Sequence, residues 1–121
     1  MEEKKRQRLM TEPHGDVTVV NFLDRKILDE TNIQEIGEEL FDLIDKHYKI
    51  KLLLNFENVE YLSSAALGKL ITLNKKIREE NGELKLCNIR EQIYEVFRIT
   101  KLNKIFDIFE SEERALAKFK K

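Results

Sequence analysis

The stretch Val59-Glu60-Tyr61-Leu62-Ser63-Ser64-Ala65-Ala66-Leu67-Gly68-Lys69-Leu70 decides how this chain folds. An apolar run, Leu52-Leu53-Leu54, lies just before it. Lys51 to Phe56 is too short for a good helix and reads as a buried strand. After the stretch, Ala66, Leu67, Leu70, Ile71, Leu73 and Ile77 recur at helical spacing, with Lys69, Lys75, Lys76 and Arg78 off the apolar stripe. This predicts a helix from Ser64 to Asn81, stopped by Asn81-Gly82 with Gly at the position after the cap. The pair Ser63-Ser64 therefore sits where a buried strand hands over to a helix. The first N–H groups of a helix have no partner within it, and its dipole is positive there.

Towards the N-terminus, Val17 to Phe22 is rich in β-branched residues, and Pro13-His14-Gly15-Asp16 is turn chemistry. Arg6 to Glu12 is the natural partner strand of a hairpin. Met1 to Lys5 is charged and is expected to fray as a flexible N-terminus. Leu23 to Asp29 can add a short extended piece. Asp29 to Tyr48 reads as a helix capped at Thr31, with Ile33, Ile36, Leu40, Leu43, Ile44 and His47 on one face. Its other face is acidic: Glu35, Glu38, Glu39, Asp42 and Asp45. Beyond Gly82, Glu83 to Cys87 alternates as a strand. Ile89 to Thr100 is a third helix, with Ile89, Ile93, Val96 and Phe97 inward, and Ile105 to Phe109 is a last strand. Ser111 caps a closing helix over Glu112 to Phe119. Strands alternating with helices supply the crossovers that parallel neighbours need.

The chain has 121 residues, of which 41% are hydrophobic and 37% charged, with a net charge of −1. That fits one domain with well-solvated helices. The charge balance argues against nucleic acid held by a basic surface. No apolar stretch approaches the ~20 residues needed to span a bilayer, so no direct membrane insertion is expected. No signal peptide is evident, and one cysteine, Cys87, does not suggest a secreted disulfide scaffold. The expected compartment is the cytoplasm.

The residues offer little for catalysis. A serine nucleophile needs a base and an oxyanion hole. His14 lies in the turn, His47 at a helix end, and Tyr61-Leu62-Ser63-Ser64-Ala65 lacks the glycines of a nucleophile elbow. One Cys and two distant His have no metal-ligand spacing, and Leu62 to Gly68 is not a phosphate loop. No catalytic residue, metal or cofactor is expected, and Cys87 reads as a small buried hydrophobe. The serine pair admits two readings, a plain helix cap contributing ~1 kcal/mol or a functional site.

At this point the sequence resembles a STAS domain, the family of anti-sigma factor antagonists that also occurs on sulphate transporters. The family signature is an apolar strand ending in Asp-Leu-Ser-x-Val, then an aromatic residue, an apolar residue, Asp-Ser-Ser-Gly-Leu-Gly and an apolar helix. Leu54 to Leu70 follows that order, and the likeness continues through Asn81 to Asn88, Val96 to Phe109 and Glu112 to Leu116. It implies an α/β fold, a single STAS-like domain over residues 6–121. Its small mixed β-sheet would carry an N-terminal hairpin and about four helices packed against it. Matched position by position, the family's phosphorylated serine falls on Ser64, with Ser63 the second candidate. Ser63 stands at the family Asp, Ala65 at its second Ser, Ala66 at its first Gly. Asn55 stands at the Asp of the strand end, and Lys101 replaces a common Gly.

The resemblance implies a non-enzymatic regulator. The unphosphorylated domain would bind an anti-sigma factor that is a Ser kinase, be phosphorylated by it and released, and be reset by a Ser phosphatase. The partner surface would comprise Leu62, Ser63, Ser64, Ala65, Gly68 and Lys69. The alternative implied by the same family is a constitutive interaction module, a signalling scaffold or transporter-associated subunit, with no phosphate at Ser64. The acidic outer face of the first helix and the basic residues of the second also suggest a polarised docking surface.

Overall fold

The computed structural model describes residues 7–120; the expected fraying of residues 1–5, and Arg6 at the start of the first predicted strand, lie outside them. Seven strands and four helices follow one another in the order β1 (Leu9–His14), β2 (Val17–Phe22), β3 (Lys26–Ile27), α1 (Glu30–Lys46), β4 (Lys51–Asn55), β5 (Tyr61–Leu62), α2 (Ser64–Glu79), β6 (Glu83–Cys87), α3 (Glu91–Ile99), β7 (Asp107–Phe109) and α4 (Glu112–Leu116). The main sheet has the order β1-β2-β4-β6-β7. Only the β1–β2 hairpin is antiparallel; the other neighbours are parallel. A separate parallel pair joins β3 to β5.

The leucine run explains the layering. Leu52, Leu53 and Leu54 are all fully buried, and because side chains alternate along a strand they face opposite ways. Leu52 and Leu54 join the larger core with Ile36, Leu40, Leu70, Leu73, Ile93 and Phe97 of α1, α2 and α3. Leu53 packs on the other face with Val19, Cys87, Ala115 and Phe119. Three helices thus cover one face, and α4 with the following residues covers the other. On that second face the Lys85 ammonium lies 3.2 Å from Asp107 and beside the rings of Phe109 and Phe119.

Several boundaries differ from the sequence reading, each for a local reason. Pro13 and His14 belong to β1, and the turn is Gly15-Asp16 alone, with Gly15 at φ +62°. Proline is tolerated there because β1 is an edge strand. The cap of α1 is Asp29, whose carboxylate accepts the Asn32 amide at 2.8 Å, and not Thr31. His47 is exposed beyond the helix end, and Ile71 and Val96, expected inward, are exposed. The predicted last strand begins two residues later, because Leu102–Lys104 forms a 3-10 turn entered through Lys101 at φ +63°. The closing helix stops at Leu116, although Phe119 is still buried.

The end of α2 shows why Asn81 and Gly82 are not interchangeable. Asn81, not Gly82, takes the left-handed position, at φ +60°. The Asn81 amide donates to Arg78 O at 3.0 Å and the Gly82 amide to Ile77 O at 2.8 Å, a Schellman closure. Gly82 is needed for space, since a Cβ there would lie 2.5 Å from Ile50 O. Gly82→Ala should cost about 1–3 kcal/mol, whereas Lys101→Gly, relieving a left-handed non-glycine residue, should stabilise by up to about 1 kcal/mol. Urea unfolding of both variants checks the opposite signs.

Candidate functional site

The serine corner is built by the segment that follows β4. Val59 is fully buried, and Asn58 Nδ2 donates to Phe22 O at 3.2 Å, anchoring the loop on β2. The chain then zips along β3: the Glu60 and Tyr61 amides donate to Arg25 O, and the Ser63 amide donates to Ile27 O at 3.1 Å. This fixes Ser63 with extended backbone as the cap of α2. Its Oγ accepts the Ala66 amide at 3.2 Å, and its carbonyl accepts the Leu67 amide.

Ser64 is the first residue of α2 and is exposed, and its hydroxyl has no hydrogen-bond partner among the described residues. Of the two serines, the cap reading therefore falls to Ser63 alone. Ser63 is the structural cap; Ser64 is free. No acidic residue stands in the first turn of α2, so the positive end of the helix is uncompensated from within that helix.

Of the other expected partner-surface residues, Leu62 is half-buried, Ala65 and Gly68 are exposed, and Lys69 is half-buried against α1. Gly68 stands one turn after Ser64, and a Cβ there would meet nothing within 4 Å. A glycine inside a helix costs about 1 kcal/mol relative to alanine, and nothing among the described residues calls for it. Beside the corner, Tyr61, Leu62, Leu67, Ile93 and Val96 line a cavity of about 150 Å³ between the loop and α3. Tyr61 is about half exposed, with the Lys26 ammonium 5.6 Å from its ring centre.

The strand end holds a network that sequence reasoning missed. Asn55 is buried at 5% exposure. Its Oδ1 accepts the Glu57 amide at 2.9 Å and Asn88 Nδ2 at 3.2 Å, and its Nδ2 donates to Glu112 Oε1 at 3.1 Å. An amide both accepts and donates, which a carboxylate cannot do when ionised. Asn55 thus fits because Glu112, from the start of α4, arrives beside it. Glu112 and Glu57, after burial itself, push the Cys87 thiol up to about 12, so Cys87 is a protonated core residue at neutral pH.

The acidic side of the expected polarised face is largely tied up within the fold. Glu35 and Asp24 bind the Arg8 guanidinium at 2.8 and 3.1 Å, and Glu39 accepts the Arg8 amide. The Glu35 and Asp24 contacts hold the Arg8 pKa above its ordinary value, the Glu35 hydrogen bond contributing most. Asp42 pairs with Lys46, and Asp45 lies 3.8 Å from Lys76. Among the described residues no group of three His, Cys, Asp or Glu could hold a metal, and no helix is long and apolar enough to cross a membrane.

A family model described as the STAS domain matches residues 8–115. BtrV of Bordetella bronchiseptica, provisionally named an anti-sigma factor antagonist, is 32% identical over 94 residues, 78% of this chain and 80% of that protein. The structure of an anti-sigma-factor antagonist (STAS) domain protein from Planctomyces limnophilus superposes with a TM-score of 0.79 at 23% identity, covering 90% of this chain and 94% of that one. SpoIIAA of Bacillus in its phosphorylated form superposes with a TM-score of 0.68 at 17% identity, covering 90% and 96%. At these identities the structural likeness is one of fold.

Ser63→Ala should destabilise by about 1 kcal/mol through loss of the cap, and Ser64→Ala should be nearly neutral; thermal melts of the two variants check the division. Asn55→Asp would set a carboxylate oxygen against Glu112 and should cost about 1–3 kcal/mol, read from urea unfolding at neutral pH.

Proposed function

Because the chain belongs to the STAS domain family, we propose that it acts as an anti-sigma factor antagonist that docks through the Ser63–Ser64 corner and is switched by phosphate on Ser64. The observation that carries this reading is the exposed, unbonded Ser64 hydroxyl beside a Ser63 already committed to capping. Gly68 supports it. An exposed glycine one turn on, at which a Cβ would meet nothing among the described residues, suits close approach by a partner's backbone.

In the proposed cycle the unphosphorylated protein binds a Ser-kinase anti-sigma factor and frees the sigma factor. The kinase then transfers the terminal phosphoryl group of ATP to Ser64 Oγ. The hydroxyl proton passes to a base on the kinase, and ADP leaves. A Ser phosphatase hydrolyses the ester and resets the cycle. The phosphate adds roughly −1.5 to −2 charges at neutral pH. It would stand at the positive end of α2, where the Ser64 and Ala65 amides have no protein acceptor among the described residues. Such a site accommodates an anion, so the fold should survive modification. The docking surface, by contrast, gains bulk and charge at its centre. The switch therefore acts on the interface, in the cytoplasm where such partners reside, and the chain itself performs no catalysis.

Incubation with the Ser-kinase anti-sigma factor of the same organism and ATP, followed by peptide mapping, should place one phosphate on Ser64 and none on Ser64→Ala. Phosphate on Ser63 alone would reverse the assignment. Calorimetry should show Ser64→Asp binding that factor at least about tenfold more weakly than wild type, while the phosphorylated protein melts no lower than the unmodified one. Equal affinities, with a stable complex regardless of phosphate, would favour the constitutive module.

A further inference from the structure

The seam between α1 and α2 carries two lysines of α2 in different situations. Lys76 is paired across it, 3.8 Å from Asp45. Lys69, two turns earlier and nearer the serine corner, lies against Gly37 of α1. A Cβ at residue 37 would lie 2.9 Å from Lys69 Cδ and 3.1 Å from its Cε. Gly37 is buried in the helix interior, where glycine is less favourable than alanine. The nearest atoms in its way are all from Lys69. Glycine at 37 therefore makes a notch that seats the lysine stem. The ammonium of that seated side chain has no ion pair or hydrogen bond among the described residues.

We propose that Lys69, held in the Gly37 notch, receives a carboxylate of the docked anti-sigma factor, so that the docking surface runs from the Ser64 end of α2 across its seam with α1. This rests on the docking role of the corner proposed above. Charge complementarity identifies the occupant. The first turn of α2 has no acid. Of the nearby acids, Asp29 caps α1 and Glu60 lies 3.7 Å from Arg25; Glu30, in the first turn of α1, is offset by that helix's own positive end. The corner offers outward the N-terminus of α2 and, in Lys69, an immobilised cation, which an acidic segment complements. Holding the stem in place lowers the side-chain entropy that pairing would otherwise cost. Ser64 and Lys69 are separated by about 7.5 Å of rise along α2 and by about 140° around it, so phosphate on Ser64 would act on the docked segment as a whole rather than directly on the Lys69 contact.

The stem of Lys69 also lines a small apolar cavity with Ile33, Ile36 and Leu70, so a purely structural role as a cover must be separated. Lys69→Met keeps the cover and removes the charge. Gly37→Ala keeps the charge and displaces the stem. Calorimetry against the Ser-kinase anti-sigma factor should show Lys69→Met about tenfold weaker than wild type, with a shallower loss of affinity as salt is raised. Gly37→Ala should weaken binding severalfold with no fall in melting temperature, and the double variant should bind no worse than Lys69→Met. Lys69→Met within about twofold of wild type, while Ser64→Asp still loses affinity, would overturn the role of Lys69 and leave the corner intact. Unchanged partner affinity with altered self-association in sedimentation would overturn it in favour of contact between copies. No binding by wild type would overturn both readings.

Discussion

The structure depends on burying β4 from both sides while its two neighbours run parallel to it. Leu52 and Leu54 need the helical layer, and Leu53 needs the opposite one. Parallel neighbours cannot be joined by a tight turn, so the chain must leave β2 and β4 through α1 and α2 and return. The serine corner is a product of that constraint. It lies on the path by which the chain, having left the carboxyl end of the central strand, enters the covering helix. Its rigidity is inherited from the Val59 anchor and the β3–β5 pair.

The leucine run, the apolar stripe of α2 and the hairpin were legible because each is written locally, in spacing and in turn chemistry. So was the presence of a serine cap. Which serine caps was not legible, because Ser63 and Ser64 are equally good cap residues and only the tie from Ser63 to Ile27 settles the register. Thr31 was mistaken for the cap of α1 for the same reason, with Asp29 two residues away. The role of Asn55 was hidden for a different reason. Its partners, Asn88 and Glu112, come from other parts of the chain. Gly37 was silent as well, since a helix glycine reveals its purpose only when the facing side chain is known.

The charges tell a related story. A helix with five outward acids suggests a docking face when read alone. In the fold those acids serve largely as fasteners: Glu35 and Glu39 hold the start of β1 through Arg8, and Asp45 reaches across to α2. Charged residues spent on intramolecular ties are weak guides to partners. The informative ones are those left over once the ties are counted, a selection that requires three dimensions.

One consequence concerns the thinner face of the sheet. It is closed by a helix of five residues and by Phe119. Short helices owe their existence to packing, and such elements open far more often than the whole domain unfolds. Cys87 lies directly beneath, its thiol inert while the helix is docked. Its rate of alkylation is therefore a clock for the opening of α4. The chain carries its own reporter of motion on the face away from the helices that form the serine corner, and one cysteine makes the signal unambiguous.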